Sequence, residues 1–157
     1  MDWKPIRTED LPAVEAIAAE VWPPEFYESP DAFAARAAIG GSYCYVLWDE
    51  ERIVGYCIAH PWGATIPRLG AVLKKPKEPS TLFLHDLALL PGWRGRGIGE
   101  AIVEYLKRKA ADAFGSVTLV AVNGSEPFWR SRGFTPLARA TKAESYGAGA
   151  EPMSWVA

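Results

Sequence analysis

One stretch of the chain constrains its fold more than any other: an apolar run at residues 82–90 leads directly into a glycine-rich segment and then a helical pattern. His85 and Asp86 are the only polar residues in the run. An apolar run of this length is typical of a strand buried on both faces, so we expect it at the centre of a sheet. The helix that follows is predicted to face the core with Ile98, Ile102, Val103, Tyr105 and Leu106.

The remaining patterns place this strand in an α/β domain around a mixed sheet. Residues 43–48 and 52–59 are predicted to form a hairpin, whose second strand ends at Pro61. Thr8 and Ser29 are predicted to cap the first two helices. We expect the other strands at residues 3–7, at 117–122, after Phe134 and at 152–156, and the helices at residues 8–22, 30–40, 98–109 and 125–130.

Length, composition and charge favour a single domain over residues 1–157 and set aside several classes of function. A formal net charge of −2 gives no reason to expect nucleic acid or an acidic membrane surface as a partner. No apolar stretch approaches the roughly 20 residues of a membrane span, and no secretory signal is visible, so the predicted location is cytoplasmic. Cys44 and Cys57 lie in apolar strand-like runs and are expected to be buried free thiols.

The segment Arg94-Gly95-Arg96-Gly97-Ile98-Gly99 has the composition of an anion site. Glycines let the backbone approach a ligand closely because no Cβ intervenes. The first amides of a helix are unpaired, and the helix dipole adds partial positive charge there. The two arginines supply cationic donors. The segment lacks the Gly-Lys-Ser/Thr of a Walker A loop, and its glycines alternate instead of following G-x-G-x-x-G, so we expect a diphosphate site of another class.

The pattern Arg94-x-x-Gly97-x-Gly99, preceded by the apolar strand, resembles the acyl-CoA signature of the GNAT family of N-acetyltransferases. The similarity extends through Asn123 and residues 128–134 (FWRSRGF), and the order of predicted elements is similar to that family's fold. The resemblance implies a mixed, mostly antiparallel sheet of about six or seven strands flanked by helices. It also implies direct, ternary-complex transfer of an acetyl group from acetyl-CoA, the co-substrate, to a primary amine of a small molecule or peptide, without a metal.

For individual residues, the resemblance implies roles in the turn and in the strand before it. Backbone amides of residues 94–99 would hold the CoA pyrophosphate. The strand is expected to bulge and to offer backbone groups of Leu87 and Leu89 to the pantetheine amide and the thioester carbonyl, where a preformed donor stabilises an oxyanion. Asn123 is a candidate for the pantetheine arm and, equally, a turn residue beside Gly124. The predicted cofactor-binding residues are Leu87, Ala88, Leu89, Arg94, Gly95, Arg96, Gly97, Ile98, Gly99, Asn123 and Trp129.

One position departs from the family pattern. The family often places a tyrosine in the short helix to protonate the leaving thiolate, and this sequence has Trp129 there, whose indole is not a usable acid. Ser125 and Ser131 are nearby hydroxyls, and Ser125 is also the predicted helix cap. A thiolate is stable near neutral pH and needs little help. Two alternatives therefore stay open: an acyl-CoA-binding regulatory module without catalysis, and an acyltransferase that uses a different acyl-CoA donor.

His85 and Asp86 are the predicted catalytic residues, because an amine must lose a proton as it attacks a thioester. Successive residues of a strand point to opposite faces, so we expect one of them on each face. His85, with an ordinary pKa of about 6.5, is the first candidate for the base, and Asp86 is the second. The alternative is that either one is a hydrogen-bonded core group that holds a neighbouring loop.

The acceptor pocket is predicted to form where the first helix breaks and the hairpin ends. The predicted substrate-binding residues are Trp22, Phe26, Tyr27, His60 and Trp62. Each aromatic residue alone is also explained by core packing, and His60 by an exposed strand end. Glu25, Glu28 and Asp31 form too ordinary a cluster to indicate a polycationic acceptor. The loop at residues 62–79 has the length of a functional segment. The acceptor itself stays open, and the resemblance admits a homodimer that no segment requires.

Overall fold

The computed structural model describes residues 1–137 and 143–157, in which seven strands form one sheet. The strands are β1 (Asp2–Pro5), β2 (Tyr45–Asp49), β3 (Arg52–Trp62), β4 (Thr81–Leu89), β5 (Ser116–Ala121), β6 (Thr135–Pro136) and β7 (Glu151–Val156). The helices are α1 (Leu11–Val21), α2 (Pro30–Gly40), α3 (Ile98–Ala113) and α4 (Glu126–Ser131). The strand order is β1-β2-β3-β4-β5-β7-β6, and only β4 and β5 are parallel neighbours. This mixed, mostly antiparallel sheet flanked by helices confirms the predicted fold class.

Helices cover both faces of the sheet, because each strand alternates its side chains between the two faces. On one face, α1 and α2 pack on β2 and β3 through a core that includes Val14, Ile17, Phe33, Val46, Tyr56 and Ile58. On the other face, the apolar stripe of α3 packs on β4 and β5 through a core that includes Leu82, Leu84, Ile102, Val103, Leu106 and Leu119. Within the described ranges, no helix has the length and apolar character that crossing a bilayer requires.

Two local predictions are confirmed. Ser29 caps α2, because its Oγ accepts a hydrogen bond from the Ala32 amide at 3.2 Å, and Pro30 occupies the first helical position. Cys44 and Cys57 are buried free thiols. Burial raises the pKa of the Cys44 thiol to about 12, so this thiol stays protonated and unreactive.

Two predicted details of the helices are wrong. Thr8 does not cap α1: it begins a short 3-10 turn, and α1 begins at Leu11 without a side-chain cap. Asp10 stands before α1, but its carboxylate accepts hydrogen bonds from the backbone and guanidinium of Arg7. Tyr105 is 39 % exposed and so does not face the core, because it lies at the edge of the buried stripe of α3.

The end of β3 also differs from the prediction, since the strand continues through Pro61 to Trp62. The pairing of β3 with β2 stops at Cys57, whereas its pairing with β4 continues to Trp62 opposite Thr81. Beyond Cys57, β2 no longer pairs with β3. Proline is tolerated there because no ladder hydrogen bond from its missing N–H is needed.

β4 contains the bulge that the resemblance implies. Ile58 of β3 opposes Asp86 and Ala59 opposes Leu84, so His85 is the extra residue of β4. A bulge shifts the alternation of side chains along the strand by one position. Relative to the residues before His85, the residues after it therefore face the opposite side from the one that an unbroken strand would give them.

Candidate functional site

A cleft opens in the sheet where β4 and β5 stop pairing. These parallel strands are paired at only two positions, Leu82 with Val117 and Phe83 with Thr118. Beyond these pairs, a cavity of about 290 Å³ lies between the two strands. The lining residues from this part of the chain are Leu84, His85, Asp86, Leu87 and Leu89 on one side and Leu119, Val120 and Val122 on the other. Backbone groups of β4 that face this cleft have no strand partner in the described part of the chain, so they are available to a ligand, except for the Leu89 carbonyl, which accepts a hydrogen bond from Arg94 Nε.

The glycine-rich turn forms one end of this cavity. Gly95 and Gly97 have φ angles of 74° and 77°, a left-handed conformation that glycine adopts without strain. A Cβ on Gly95 would meet no atom within 4 Å, so the space beside the turn is open. Gly97 directly precedes α3, and no side chain caps this helix. The first amides of α3 are therefore available to an anion.

The two arginines of the turn lie differently. Arg94 lines the cavity, and its Nε donates a hydrogen bond to the Leu89 carbonyl at 3.0 Å. Arg96 is exposed and is not among the lining residues. Arg94 thus ties the turn to the end of β4 and engages one of the backbone groups predicted to contact pantetheine.

His85 and Asp86 lie on the same face of the sheet, which corrects the prediction that they point to opposite faces. Asp86 opposes Ile58, which packs with α1 and α2, and its carboxyl contacts Tyr56 on that face. The His85 ring stacks on Phe83, with centroids 6.1 Å apart, and contacts the segment before α2. The bulge is the physical reason, because an extra residue brings two consecutive side chains to one side. Both line the cavity.

Glu28, between α1 and α2, holds His85 in place, although the sequence analysis set it aside with its acidic neighbours. Its Oε1 accepts a hydrogen bond from His85 Nε2. Its Oε2 accepts one from the Gly70 amide at 3.0 Å and lies 3.5 Å from Arg36 Nε. Burial raises the pKa of Glu28, but its contacts with His85, Arg36 and the Gly70 amide together outweigh burial and lower the pKa to about 2. The signal in the sequence is Arg36, an arginine flanked by alanines in α2, which needs a buried partner.

The His85 imidazole is neutral near pH 7. Burial and the positive charge of Arg36 lower its pKa, and the opposing effect of Glu28 is smaller. A carboxylate only accepts hydrogen bonds, so the single proton of the ring is on Nε2. Nδ1 is then an acceptor, and it is buried without a hydrogen-bond partner among the described residues. A neutral imidazole on the cavity wall with an unpaired Nδ1 is suited to receive a proton.

Asp86 is a second titratable group on the same wall. Trp22 Nε1 donates to its Oδ1 at 3.0 Å, and the Tyr56 hydroxyl donates to its Oδ2 at 2.6 Å. Burial raises the pKa of Asp86, the Tyr56 hydrogen bond opposes this, and the negative charge of Glu28 adds to it. The resulting pKa is about 7, so this carboxyl changes charge in the neutral range.

α4 places Trp129 on the cavity wall. Its ring lies 4.9 Å from that of Phe128 and 5.5 Å from that of Phe134, measured between centroids, and it is buried. Ser125 also lines the cavity, but it does not cap α4 as predicted. Its Oγ donates to the Val122 carbonyl at 2.7 Å, which fastens the start of α4 to the end of β5.

Asn123 lies on a neighbouring cavity of about 240 Å³, together with Ala88. Asn123 and Gly124 have consecutive left-handed φ angles of 54° and 74°. Asparagine is one of the few residues that tolerate this conformation, so the turn after β5 explains its presence. Its contact with pantetheine stays a prediction, and its position on the cavity is compatible with that role.

The structure brings two of the five predicted acceptor residues to the main cavity, Trp22 and Phe26. Their rings are 5.6 Å apart in an edge-to-face arrangement. Tyr27 is 72 % exposed and does not line the cavity. His60 and Trp62 pack against each other at the end of β3, with ring centroids 5.4 Å apart, and also lie outside the lining.

His60 is a buried partner of Arg36 instead of an exposed strand-end residue. Arg36 Nη1 donates to His60 Nε2 at 3.0 Å, and His60 Nδ1 contacts the Pro61 carbonyl at 3.1 Å. Burial and the charge of Arg36 lower the pKa of His60 to about 3. The ring is therefore neutral, with its proton on Nδ1.

Leu69 and Tyr146 complete the wall near His85, and neither was predicted. The Leu69 amide donates to Ser145 Oγ at 3.0 Å, and the Tyr146 hydroxyl donates to the Pro67 carbonyl at 2.7 Å. The Tyr146 ring lies 6.4 Å from that of His85. The length of the 62–79 loop indicated function, but no local pattern indicates Tyr146, because its contact joins residues 79 positions apart.

Comparison with known proteins gives the same architecture. The model of the acetyltransferase (GNAT) family matches residues 3–134. No match was found among curated protein sequences. Among solved structures, Arabidopsis thaliana Naa50, in complex with the bisubstrate analogue CoA-Ac-MVNAL, is 14% identical with a TM-score of 0.74. That match covers 99% of this chain and 98% of Naa50.

Two further structures are similar over nearly their whole length. Rv2747 from Mycobacterium tuberculosis, in complex with CoA and NLQ, is 17% identical with a TM-score of 0.71, over 100% of this chain and 99% of that one. The GphF GNAT-like decarboxylase, in complex with isobutyryl-CoA, is 18% identical with a TM-score of 0.71, over 99% of each chain. At these identities the likeness shows a shared fold.

Proposed function

The chain belongs to the acetyltransferase (GNAT) family, and from that premise we propose that it transfers the acetyl group of acetyl-CoA to a primary amine of a small molecule or peptide. Transfer is direct, in a ternary complex of both substrates. A cytoplasmic location and a homodimer stay predictions.

The observation that carries this proposal is one continuous cavity that joins the uncapped start of α3 to His85 and Asp86. Leu89, beside the turn, is four residues from His85, so roughly 13 Å of strand separates the two ends. An extended thiol arm anchored by its diphosphate at the turn would present its reactive end beside the two titratable groups.

The residues along the cavity fit acyl-CoA. The free amides that follow Gly97 and the open space beside Gly95 suit a diphosphate. The unpaired backbone of β4 offers hydrogen bonds to the amides of pantetheine. Leu87, Phe128 and Trp129 give the cleft apolar walls. Such walls exclude water and strengthen the hydrogen bonds made inside.

In this proposal His85 is the base. As the amine nitrogen bonds to the thioester carbon, its proton passes to Nδ1 of His85, directly or through a water molecule. The carbon–sulfur bond breaks, and the sulfur leaves as a thiolate, with a pKa of about 8.5 for an ordinary thiol. The proton held by His85 is then available to the thiolate or to solvent. Asp86 is the alternative base.

The acceptor side of the cavity suits an amine with apolar surroundings. Trp22, Phe26, Leu69 and Tyr146 are the aromatic and aliphatic residues of this wall. The carboxyls of Glu28 and Asp86 are already bonded within the protein, so neither is free to bind a second cation. The peptide portion of the Naa50 analogue supports a peptide acceptor.

Two other candidate functions each have a specific observation in their favour. An acyl-CoA-binding module without catalysis is supported by an indole where the family often has an acid. A different acyl donor is supported by the fold shared with a GNAT-like decarboxylase bound to isobutyryl-CoA.

The test is calorimetric titration of acetyl-CoA, CoA and ATP into the protein, followed by a transfer assay that detects free thiol with a panel of amines and peptides. We expect both CoA species to bind and ATP not to bind. Gly97→Trp should abolish binding, because it puts a large side chain at a left-handed position of the turn. Longer acyl-CoA donors are assayed in parallel.

Gly92→Trp is the matched control. Gly92 lies in the short 3-10 turn just before the glycine-rich turn, is exposed, lines neither cavity and has open space around it. It should bind acetyl-CoA as the wild type does. Absence of heat with both CoA species would defeat the proposal. Binding without transfer from any donor would favour the regulatory module, and transfer only from longer acyl groups would favour the different donor.

A further inference from the structure

We propose that Glu28 is a positioning residue that holds His85 in the tautomer whose Nδ1 is unprotonated, the form that a base requires. This inference rests on the proposed function for its kinetic consequence, but the state of the ring is a property of the protein alone. The inference gives a role to Glu28, a buried charged residue that takes no direct part in the transfer reaction.

The two oxygens of Glu28 have different partners. Among the described residues, Oε1 is bonded to His85 Nε2, whereas Oε2 accepts a hydrogen bond from the Gly70 amide and lies 3.5 Å from Arg36 Nε in an ion pair. Both groups on the Oε2 side are obligatory donors. The carboxylate therefore cannot rotate to exchange its roles, and Oε1 accepts the Nε2 proton. Because a neutral imidazole carries one proton, Nδ1 is left as a hydrogen-bond acceptor.

Arg36 anchors Glu28 from the other side. Its side chain is fully buried, and besides contacting Glu28 it donates to His60 Nε2 at 3.0 Å and to the Arg68 carbonyl at 3.1 Å. These contacts join α2, β3 and the 62–79 loop around one guanidinium. A carboxylate held this firmly defines the orientation of the imidazole bonded to it.

The surroundings of His85 contain no competing partner for Nδ1 among the described residues. The charged and titratable groups near the ring are Glu28, Arg36, Asp86, His60 and Tyr146. Asp86 is occupied by Trp22 and Tyr56, and the Tyr146 hydroxyl by Pro67. Within the described part of the chain, Glu28 is the one residue that contacts a nitrogen of His85, so it sets the tautomer.

The test uses Glu28→Gln. The Gly70 amide would still donate to one side of the new amide and the positive charge of Arg36 would still lie beside it, so the amide oxygen turns to that side and the NH₂ group faces His85 Nε2. Nε2 must then accept, and the imidazole proton moves to Nδ1. Nitrogen-15 NMR of labelled histidine reads the tautomer directly, because the chain contains only two histidines, and His60→Gln assigns them.

We expect His85 to be protonated on Nε2 in the wild type at pH 7 and on Nδ1 in Glu28→Gln. The kcat for acetyl transfer should fall roughly 100-fold, the lower end of what a positioned base contributes. KM for acetyl-CoA should stay within about twofold, because Glu28 acts at the base and not at the turn.

Asp10→Asn is the matched control. Asp10 is also a buried carboxylate paired with an arginine, Arg7, and it lines neither cavity. It should lose stability as Glu28→Gln does, yet keep the wild-type histidine spectrum and kcat. A general loss of stability therefore cannot produce the expected result.

An imidazolium or an Nδ1–H ring in the wild type overturns the inference, and this measurement stands even if Glu28→Gln fails to fold. An unchanged tautomer or an unchanged kcat in a folded Glu28→Gln protein also overturns it. The spectra need neither substrate, so a failure to find any acyl transfer would count against the proposed function and leave the assignment of Glu28 decided by NMR.

Discussion

Among the single residues of the site, Asp86 has a pKa that lies well above its ordinary value. Its carboxyl is buried and accepts hydrogen bonds from Trp22 and Tyr56, yet its pKa is raised from 3.8 to about 7, with burial as the largest cause. The folded protein therefore holds this proton more tightly than the unfolded chain does. Between these two pH values, the Asp86 contribution lowers the free energy of unfolding as pH rises.

Asp86→Asn tests this linkage. The amide keeps the shape of the carboxyl and can still bond Trp22 and Tyr56, but it does not titrate. The free energy of unfolding of the variant relative to wild type should increase by about 1.4 kcal/mol for each pH unit between pH 4.5 and 6.5. Urea unfolding at several pH values measures it, and a difference independent of pH would refute the raised pKa.

At the scale of elements, the site is built by a bulge and by a capped helix. The bulge of β4 at His85 brings two consecutive titratable residues to one face. α2 then brings Arg36 to the same face and begins two residues after Glu28, at Pro30. Because Glu28 is adjacent to Ser29, the cap of α2, the start of this helix defines where the carboxylate stands.

Ser29→Ala should therefore weaken the fold at this element. The Ala32 amide loses its side-chain acceptor, at a cost of about 1 kcal/mol for a typical N-cap. Such a loss lowers Tm by about 2–4 °C in a chain of this size. Differential scanning calorimetry measures it.

Ser42→Ala is the control for this change, because the Ser42 carbonyl, and not its side chain, is bonded by Lys109. Its Tm should stay close to that of the wild type. Equal effects of the two substitutions would show that the cap contributes nothing.

At the scale of the whole molecule, distant parts of the chain close the acceptor side of the cavity. The 62–79 loop is fastened to the C-terminal segment by the bonds of Leu69 to Ser145 and of Tyr146 to Pro67. It is fastened to α2 by the bond of Arg36 to Arg68. The cavity wall near His85 is thus complete only when three separate segments have docked.

Tyr146→Phe removes one of these ties. It leaves the Pro67 carbonyl without its partner, and an unpaired buried polar group costs about 1–3 kcal/mol. We expect the loop to open more often, so trypsin should cleave faster after Lys74 or Lys77 in the native protein. Mass spectrometry of the timed digest identifies the sites.

Tyr27→Phe is the control, since Tyr27 is 72 % exposed. It should be cleaved at the wild-type rate. If Tyr146→Phe is cleaved no faster, the hydroxyl does not hold the loop.

The sequence by itself determined the features that depend on neighbouring residues. The buried strand, the glycine turn and the helix after it are local patterns, and with the family resemblance they predict the sheet and the position of the cavity. Ser29 as a cap follows from backbone chemistry within four residues, and the structure has it as predicted. His85 and Asp86 stand out because polar residues are unusual in such a strand.

Only the tertiary structure decided which groups meet. The bulge at His85 depends on the register of β4 with β3. The two-residue period of a regular strand predicted that His85 and Asp86 point to opposite faces, whereas in the structure they lie on the same face. β3 can continue through Pro61 because its pairing with β2 stops at Cys57. Glu28, Leu69 and Tyr146 lie near His85 although they belong to segments far apart in sequence. No periodic pattern in the sequence indicates these positions. Packing between distant segments determines the surroundings of a titratable group, and therefore its charge.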